Sequence, residues 1–365
     1  MGQSPVITQL VSSTTKLLGN GTYNTAVFLK LCSKIYTLAF EITHTMKSMK
    51  QNIYGEPYSG DSKFVASCRL LQSVYRNEIG EHIRPYRSKD RVYYYGNYIN
   101  NGEETGANFL EDYIFIYAKY RIAYKKPFET INPDRMFNNL LSSQPMAFNL
   151  FCPLRKMLCE SPETITNVVQ KVLPDCPIAL VTDVDLEFIP NNYKNLTGDR
   201  SAMDAIIRFK DNNGKECFIA IEIKYSENLG ANEASNRNKA VELIRQLKCF
   251  DRDVETKIEK SEIKLTQIYR NFLLSESYGK DISAESYSLI IAPEKNLSTS
   301  RELTSLVDEL TPEYKSKIQH ITLEDFVKGL ILASPSEYKT TFKKFHERYL
   351  NFAKIEGLDY SANIE

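Results

Sequence analysis

Asp204, Glu222 and Lys224 are charged residues within two apolar segments of the chain, where charged side chains are unusual. Asp204 lies in the segment 202–209, and Glu222 and Lys224 lie in the segment 217–225. A charged side chain in an apolar strand is costly unless it is paired or bound to a metal ion. Two carboxylates beside an ammonium group suit metal-assisted chemistry on a phosphate ester.

The two segments are joined by Asp-Asn-Asn-Gly at 211–214, a turn signal that predicts a β-hairpin. A three-residue loop ending at Gly214 in the left-handed conformation would fix the register of the strands. Counting back from that loop, Asp204 lies opposite Glu222, with Cβ atoms about 4.5–5.5 Å apart. Lys224 shares the face of Glu222 because side chains alternate along a strand. A loop of two or four residues would place Asp204 on the other face.

Two carboxylates this close cannot easily both ionise without a cation. Mg²⁺ prefers oxygen ligands and keeps coordination positions for water and phosphate; Mn²⁺ is the expected substitute. Lys224 could then position an attacking water and help to deprotonate it, while the metal ion stabilises charge on phosphorus. The structural alternative is a buried ion pair between Asp204 and Lys224, with Glu222 as a charge at the sheet edge.

The spacing of these residues resembles a known signature. Asp204, followed on the next strand by Glu222-Ile223-Lys224, is similar to the D…(D/E)-x-K pattern of the PD-(D/E)XK nuclease superfamily. Met203 stands where the superfamily name has Pro, which is not a ligand. Three further strings resemble a bacterial group of restriction-endonuclease-like proteins within that superfamily, over roughly Ser73 to the C-terminus: 140–154, 197–204 and 221–227.

The resemblance implies an α/β protein with a restriction-endonuclease-like core, a mixed central sheet flanked by helices. It implies a Mg²⁺-dependent deoxyribonuclease that leaves a 5′-phosphate, with a role in restriction or phage defence. Asp204 and Glu222 would hold the metal ion, and the backbone carbonyl of Ile223 would add a ligand.

Four other residues are candidates for the same site. Glu187 ends a predicted strand at 177–188, and members of the superfamily often bring an extra acid to the metal from an upstream element. Arg200 precedes the hairpin and either binds phosphate or neutralises the acidic surroundings. Gln267 and Arg270 share one flank of a helix predicted over 258–275 and either reach substrate or face solvent.

A second candidate surface combines cations with aromatic rings. Arg84, Arg87 and Arg91 are interleaved with Tyr86 and with the tyrosines at 93–95. Such a stretch suits DNA, because cations meet phosphates and rings stack on bases. The alternative is a solvated basic loop that leads into a Tyr-rich strand.

Composition indicates a soluble globular protein that contains no membrane span. The 365 residues are 42% hydrophobic and 25% charged, with no net charge. Seven Cys without C-x-x-C spacing and four separated His argue against zinc or iron–sulfur sites. Free thiols and the absence of a signal peptide favour the cytoplasm.

Three regions are predicted along the chain: a helical extension over 1–60 with a helix at 23–49, a mainly helical region over 61–160 that either packs on the core or precedes it and is a candidate for DNA contacts, and the nuclease-like core over 161–365. Residues 1–150 carry 17 Lys and Arg against 12 Asp and Glu, a modest basic excess that would suit DNA binding.

Two alternative functions stay open. One is a structure-specific or repair nuclease, and the other is a catalytically silent nucleic-acid-binding module on the same fold. A homodimer would supply the two active sites that cutting both DNA strands requires, but no sequence feature marks an interface.

Overall fold

The computed structural model describes residues 53–88, 91–227, 237–251 and 253–358. Tyr54–Glu365 form one compact unit. The helix predicted over 23–49 lies outside the described residues. The predicted region boundaries at 60 and 160 remain predictions.

The chain before the large sheet is mainly helical. In order, its elements are α1 (Lys63–Glu78), the short antiparallel strands β1 (Tyr86–Ser88) and β2 (Arg91–Tyr93), α2 (Gly102–Thr105), α3 (Asp112–Ala123), α4 (Pro133–Asn138), α5 (Ser143–Glu160) and α6 (Pro162–Val172). Side-chain caps start several of these helices: the hydroxyl of Ser161 accepts from Thr164 N at the start of α6, as its position before Pro162 predicts.

Two helix starts in this region can be compared with the sequence. The apolar pattern predicts a helix over 108–124, but the helix begins at Asp112, because the N–H of Leu110 donates to the side chain of Asn149 on α5 instead of entering a helical turn. Residues 142–145 are predicted to be a cap or a turn, and they form the start of α5, where Ser142 is the cap and Pro145 is tolerated within the first turn.

The second half of the chain alternates strands with helices. Its elements are β3 (Leu180–Phe188), β4 (Met203–Lys210), β5 (Glu216–Ile223), α7 (Arg237–Leu247), α8 (Val254–Glu259), α9 (Gln267–Asp281), β6 (Glu285–Ala292), α10 (Leu297–Glu309), α11 (Pro312–Lys315), β7 (Ile318–Thr322), α12 (Leu323–Ala333), α13 (Ser336–Tyr349) and a 3₁₀ turn (Phe352–Ile355).

These strands form one sheet of five in the order β3-β4-β5-β6-β7. The pairs β3–β4 and β4–β5 are antiparallel, whereas β5–β6 and β6–β7 are parallel. The parallel pairs need long crossovers, which the helices α7–α9 and α10–α11 supply. The predicted α/β architecture, a mixed sheet packed against helices, is confirmed.

Alternation along β4 and β5 sends apolar side chains into two different layers. Ile207 and Ile219 pack with α5, α6, α12 and α13 on one face of the sheet. Ile206 and Phe218 pack with Leu274 of α9 on the other. Even-numbered positions of both strands therefore face α9, and this parity places Asp204 and Glu222 under that helix.

The helix predicted over 258–275 is divided. The N–H groups of Glu262 and Ile263 both donate to the carbonyl of Lys257, and this reversal of the chain terminates α8. Thr266, in an extended conformation, is the N-cap of α9. The break places Gln267 at the first position of α9, at the helix end nearest the carboxylates.

Candidate active site

The β4–β5 hairpin has the predicted register. Asp211 N donates to the carbonyl of Lys215 at 3.1 Å, and Gly214 has a φ of 77°. The register continues to the pair Ala205–Ile221, so that Asp204 and Glu222 are the next residues on neighbouring strands.

The two strands separate directly after that pair. The N–H of Ile223 donates to Asp204 Oδ2 at 2.8 Å and makes no ladder bond to β4. The Asp204 carboxylate thus substitutes for backbone at the point where the sheet opens. This contact fixes the carboxylate next to the main chain whose carbonyl we predicted as a metal ligand.

Glu222 is buried and held by three donors. Its Oε1 lies 2.5 Å from Lys224 Nζ and accepts from Gln267 Nε2 at 2.8 Å, while its Oε2 accepts from Asn271 Nδ2. Gln267 and Asn271 are one turn apart on α9 and approach the carboxylate together. Sequence reasoning missed Asn271, although its spacing of four from Gln267 places both on one helix face.

A third carboxylate, that of Glu187 on β3, lies beside those of Asp204 and Glu222. Leu186 pairs with Ala205 and Phe188 with Met203, so that Glu187 lies across from Asp204. Glu187 is 4% exposed and has a φ of 50°, a strained conformation for a residue with a Cβ atom.

Period-two alternation puts two other acids of β3, Asp183 and Asp185, on the face of Glu187, and each has a separate partner. Asp183 forms an ion pair with Arg208 at 2.5 Å, and Asp185 forms one with Arg121 at 2.9 Å. A bulge between Val181 and Asp183 shifts the strand. Glu187 is thus the acid of this strand that lies beside Asp204.

Burial and mutual repulsion disturb the ionisation of all three carboxyl groups. Burial and the nearby Asp204 raise the pKa of Glu222 and of Glu187 to about 8. Burial also raises the pKa of Asp204, although Lys224 and the Ile223 N–H oppose that rise. The site therefore carries more buried acid than its single buried ammonium group can neutralise.

Lys224 remains a cation in this setting. Its burial lowers the pKa of the amine, but the neighbouring carboxylates of Glu222 and Asp204 outweigh that effect and raise the pKa above its ordinary value. An ammonium group donates hydrogen bonds and positive charge, so that this side chain is suited to hold an anion or a water oxygen and unsuited to accept a proton.

The donor set fits a hard divalent cation. Raised carboxyl pKa values mark a shortage of positive charge, and all available donors are oxygens. Within the part of the chain that is described, no three His, Cys, Asp or Glu side chains converge closely enough to hold an ion by themselves. Two carboxylates and a backbone carbonyl would leave positions for water and phosphate, as Mg²⁺ requires, and Glu187 as a further ligand stays a prediction.

A cleft of about 560 Å³ opens beside these groups. Six predicted site residues line it: Glu187, Arg200, Asp204, Lys224, Gln267 and Arg270. It is also lined by residues that sequence reasoning did not select, among them Thr130, Arg135, Ser143, Gln144, Asp199 and Glu227. The structure therefore brings residues from six separate stretches of the chain to one place.

Three arginines line the cleft together with its acidic residues. Arg270 Nη1 lies 3.7 Å from Asp199 Oδ2, and among the described residues the buried Nε of Arg270 has no hydrogen-bond partner. Arg135 is half-exposed, with Nη2 3.9 Å from Glu227 Oε1. Together with the exposed Arg200, these side chains could meet the phosphates of a bound polyanion.

Glu227 ties the end of β5 to the start of α5. Its Oε1 accepts from Ser143 N at 2.8 Å, and its Oε2 accepts from the backbone N–H groups of Tyr225 and Ser226 at 3.2 Å. These bonds hold the strand that carries Glu222 against the helix that supplies Gln144. No sequence signal distinguished Glu227 from an ordinary charge at a strand end.

The three arginines of the basic, aromatic stretch lie elsewhere. Arg84 pairs with Asp134, Arg91 pairs with Glu56 at 3.3 Å, and Arg87 is exposed on β1. The arginines do not line the cleft. Two of the three are engaged in ion pairs, and a role for this stretch in binding DNA stays a prediction.

A family model described as the PD-(D/E)XK nuclease superfamily matches residues 59–351, about four fifths of the chain. The chain therefore belongs to the PD-(D/E)XK nuclease superfamily. Membership indicates a nuclease, a phosphodiesterase with a nucleic-acid substrate, in a superfamily that typically uses divalent metal ions. No curated protein and no solved structure matches the chain.

The helices of the described residues bear on the prediction that the chain contains no membrane span. None of the helices in the described residues combines the length and the apolar character needed to cross a bilayer.

Proposed function

We propose that this protein is a Mg²⁺-dependent DNA endonuclease, with Mn²⁺ as a substitute ion. The observation that carries the proposal is that Asp204, held by the N–H of Ile223, lies on the strand next to the Glu222–Lys224 ion pair, beside a cleft that three arginines help to line. Glu222 and Lys224 are buried and Asp204 is partly buried. Charges in such positions are costly for stability alone, and a shared ligand would account for all three.

Asp204 and Glu222 would hold the ion together with the Ile223 carbonyl. When bound, Mg²⁺ would supply Lewis-acid stabilisation of charge on the phosphoryl oxygens and lower the pKa of a water molecule. Lys224, which stays protonated, would donate to the attacking water or to a phosphate oxygen and orient it. Gln267 and Asn271 would keep the Glu222 carboxylate in position while Lys224 makes that contact.

The remaining cleft residues would bind the DNA backbone. Arg135, Arg200 and Arg270 offer guanidinium groups that suit phosphate oxygens on either side of the scissile bond. The leaving group would be the 3′ oxygen, which gives a 5′-phosphate product. A role in restriction or phage defence is supported by the resemblance of the strings around Asp204 and Glu222 to restriction-endonuclease-like proteins.

A homodimer would place two such sites on one duplex. Light scattering in solution, with and without DNA, would test this part of the proposal. A monomer that nicks one strand at a time would contradict it.

The first experiment is cleavage of supercoiled plasmid in Mg²⁺ or Mn²⁺, with EDTA as the metal-free control. We expect nicked and linear products that disappear in EDTA and fall at least about a thousandfold in Lys224→Ala, because the ammonium group acts at the reacting phosphate. The matched control is Lys194→Ala, an exposed lysine outside the cleft, which should cut like the wild type.

Two outcomes would overturn the proposal. One is cutting that persists in Lys224→Ala, which would identify a contaminating nuclease. The other is a folded wild-type protein that binds DNA but does not cut plasmid, single-stranded or branched DNA in either metal.

A further inference from the structure

A row of tyrosines on α3 and at its C-terminal cap has no part in the site described above. Tyr117 and Tyr120 recur at helical spacing on one face of the helix, and Tyr124 is the residue directly after its last turn. Their ring centroids are 6.3 Å apart for Tyr117–Tyr120 and 4.8 Å apart for Tyr120–Tyr124. We call these three side chains the tyrosine row.

The row becomes more exposed along the helix. Tyr117 is half-buried against Phe148, whereas Tyr120 is 54% exposed and Tyr124 is 74% exposed. The neighbouring Ile116 is 64% exposed on the same helix. Large apolar groups gathered on a surface in this way commonly mark a binding site.

The buried end of the row is linked to a cleft residue. Tyr117 Oη donates to Asp185 Oδ1 at 3.3 Å. Arg121, on the same helix, lies 2.9 Å from Asp185 and donates to the carbonyl of Glu187, which lines the cleft, at 3.4 Å. The chain that follows α3 reaches the cleft at Thr130. The helix that carries the row is therefore joined to the cleft through Arg121 and through this segment.

The charge of this segment suits a polyanion. Residues 113–128, which lie between Asp112 and Glu129, contain Lys119, Arg121, Lys125 and Lys126 and no Asp or Glu. Arg121 is paired with Asp185 and Glu129, so that the three lysines supply the excess charge. The three lysines are exposed. An apolar face that docks on another protein has no need of such an excess of cations, whereas cations beside stacked rings are the features of surfaces that bind single-stranded nucleic acid.

We infer that the tyrosine row binds an unpaired stretch of DNA next to the cleft, with bases stacked on Tyr120 and Tyr124 and phosphates beside Lys125 and Lys126. Bases in a duplex are stacked on each other and cannot offer their faces to a protein ring. The substrate class is therefore DNA with a single-stranded segment adjoining the cut, such as a flap, an overhang or a gap. This inference rests on the proposed function, because it takes the cleft as the place of cutting.

The test measures binding in EDTA, where nothing is cut. Fluorescence anisotropy compares a labelled thymine oligonucleotide, a duplex of the same length and a duplex with a thymine overhang. The variants are Tyr120→Leu with Tyr124→Leu, which removes both rings, and Tyr120→Phe with Tyr124→Phe, which keeps them. Ile116→Ala is the matched control for loss of exposed apolar surface on the same helix.

We expect the wild type to bind the single strand and the overhang more tightly than the duplex. The Leu pair should weaken binding of the single strand by at least about fivefold for each ring, the lower end of measured base–ring stacking. The Phe pair and Ile116→Ala should bind like the wild type. Circular dichroism checks that every variant is folded. We expect all of them to fold, because both rings are exposed and contribute little to the core.

Three results would overturn the inference: equal affinity for duplex and single strand, unchanged binding by the Leu pair, or no binding of DNA by the wild type. The last result would instead favour a protein partner for the row.

Cutting assays separate this inference from the proposed function. If duplex is cut in a Lys224-dependent way and the Leu pair has no effect, the DNA-binding role of the tyrosine row is refuted and the nuclease proposal stands. If DNA binding depends on the rings but no metal supports cutting, the nuclease proposal is refuted and the DNA-binding role stands.

Discussion

At the residue scale, the site depends on how one carboxylate is held. Glu222 faces Asp204 and lies within 2.5 Å of Lys224, and two amides of α9 donate to its oxygens. Burial and the neighbouring Asp204 raise the pKa of the Glu222 carboxyl group above its ordinary value, and Lys224 opposes that rise. The amides fix its orientation whether or not it is charged, which makes Asn271 a positioning residue.

Asn271→Ala should therefore weaken metal binding without unfolding the protein. Loss of its bond frees Glu222 Oε2, and groups that orient metal ligands commonly contribute about 10–100-fold to metal affinity or activity. Titration of Mn²⁺ followed by electron paramagnetic resonance measures the affinity, and thermal unfolding measures stability. Asn213→Ala, in the exposed hairpin loop, is the control. Wild-type affinity for Mn²⁺ in Asn271→Ala would contradict a positioning role.

At the element scale, the β4–β5 hairpin sets which side chains share a face. Its three-residue loop places Asp204 and Glu222 in neighbouring positions, and a change of one residue in register would send one of them to the opposite layer. The left-handed conformation of Gly214 permits this loop, and no atom lies within 4 Å of the point that a Cβ would occupy. A side chain there would meet backbone strain and no clash.

Gly214→Val should lose about 1–3 kcal/mol of unfolding free energy, because a β-branched residue is strained in the left-handed region. Gly214→Asn should lose much less, since asparagine tolerates that conformation. Urea unfolding followed by circular dichroism measures both variants. Cutting per folded molecule should be unchanged because the register is kept. Equal losses for Val and Asn would show that the loop does not depend on a left-handed residue.

At the scale of the whole molecule, distant helices clamp the strand that carries the site. Arg348 of α13 is 1% exposed and donates to Gln72 of α1 and to the backbone and side chain of Asn108. Gln72 in turn donates to the hydroxyl of Tyr225, which follows Lys224 and donates to the carbonyl of Tyr349. The N- and C-terminal helices of the described unit thus meet behind the active strand.

Arg348→Met should destabilise the protein by about 3 kcal/mol, because Gln72 and Asn108 would keep buried acceptors without donors. The change retains most of the side-chain volume, so that lost hydrogen bonds dominate over a cavity. Urea unfolding measures the loss, and Arg301→Met on the exposed face of α10 is the control. A loss no greater than that of the control would show that the network contributes little to stability.

Features set by local pattern were predictable from the sequence. The alternation of apolar residues, the turn at 211–214 and the position of Gly214 together defined the hairpin and the relation of Asp204 to Glu222. Ser161 before Pro162 defined the start of α6 in the same way. Each depends on contacts between residues close in the chain, where backbone periodicity fixes the geometry.

Other features were decided by tertiary packing. Asn271 reaches Glu222 across 49 residues and Glu227 reaches Ser143 across 84, and no local pattern encodes such contacts. The division of the predicted helix at 258–275 likewise follows from how the chain turns back at Lys257.

Local sequence pattern defines the pair of strands and the charges they carry, because period-two alternation and loop length are local properties. Packing of the folded chain selects which helix covers those charges, which cations line the cleft and which arginines are engaged elsewhere. Those outcomes depend on packing between segments far apart in the chain, where the free energy of burial selects one arrangement among many that the local patterns allow.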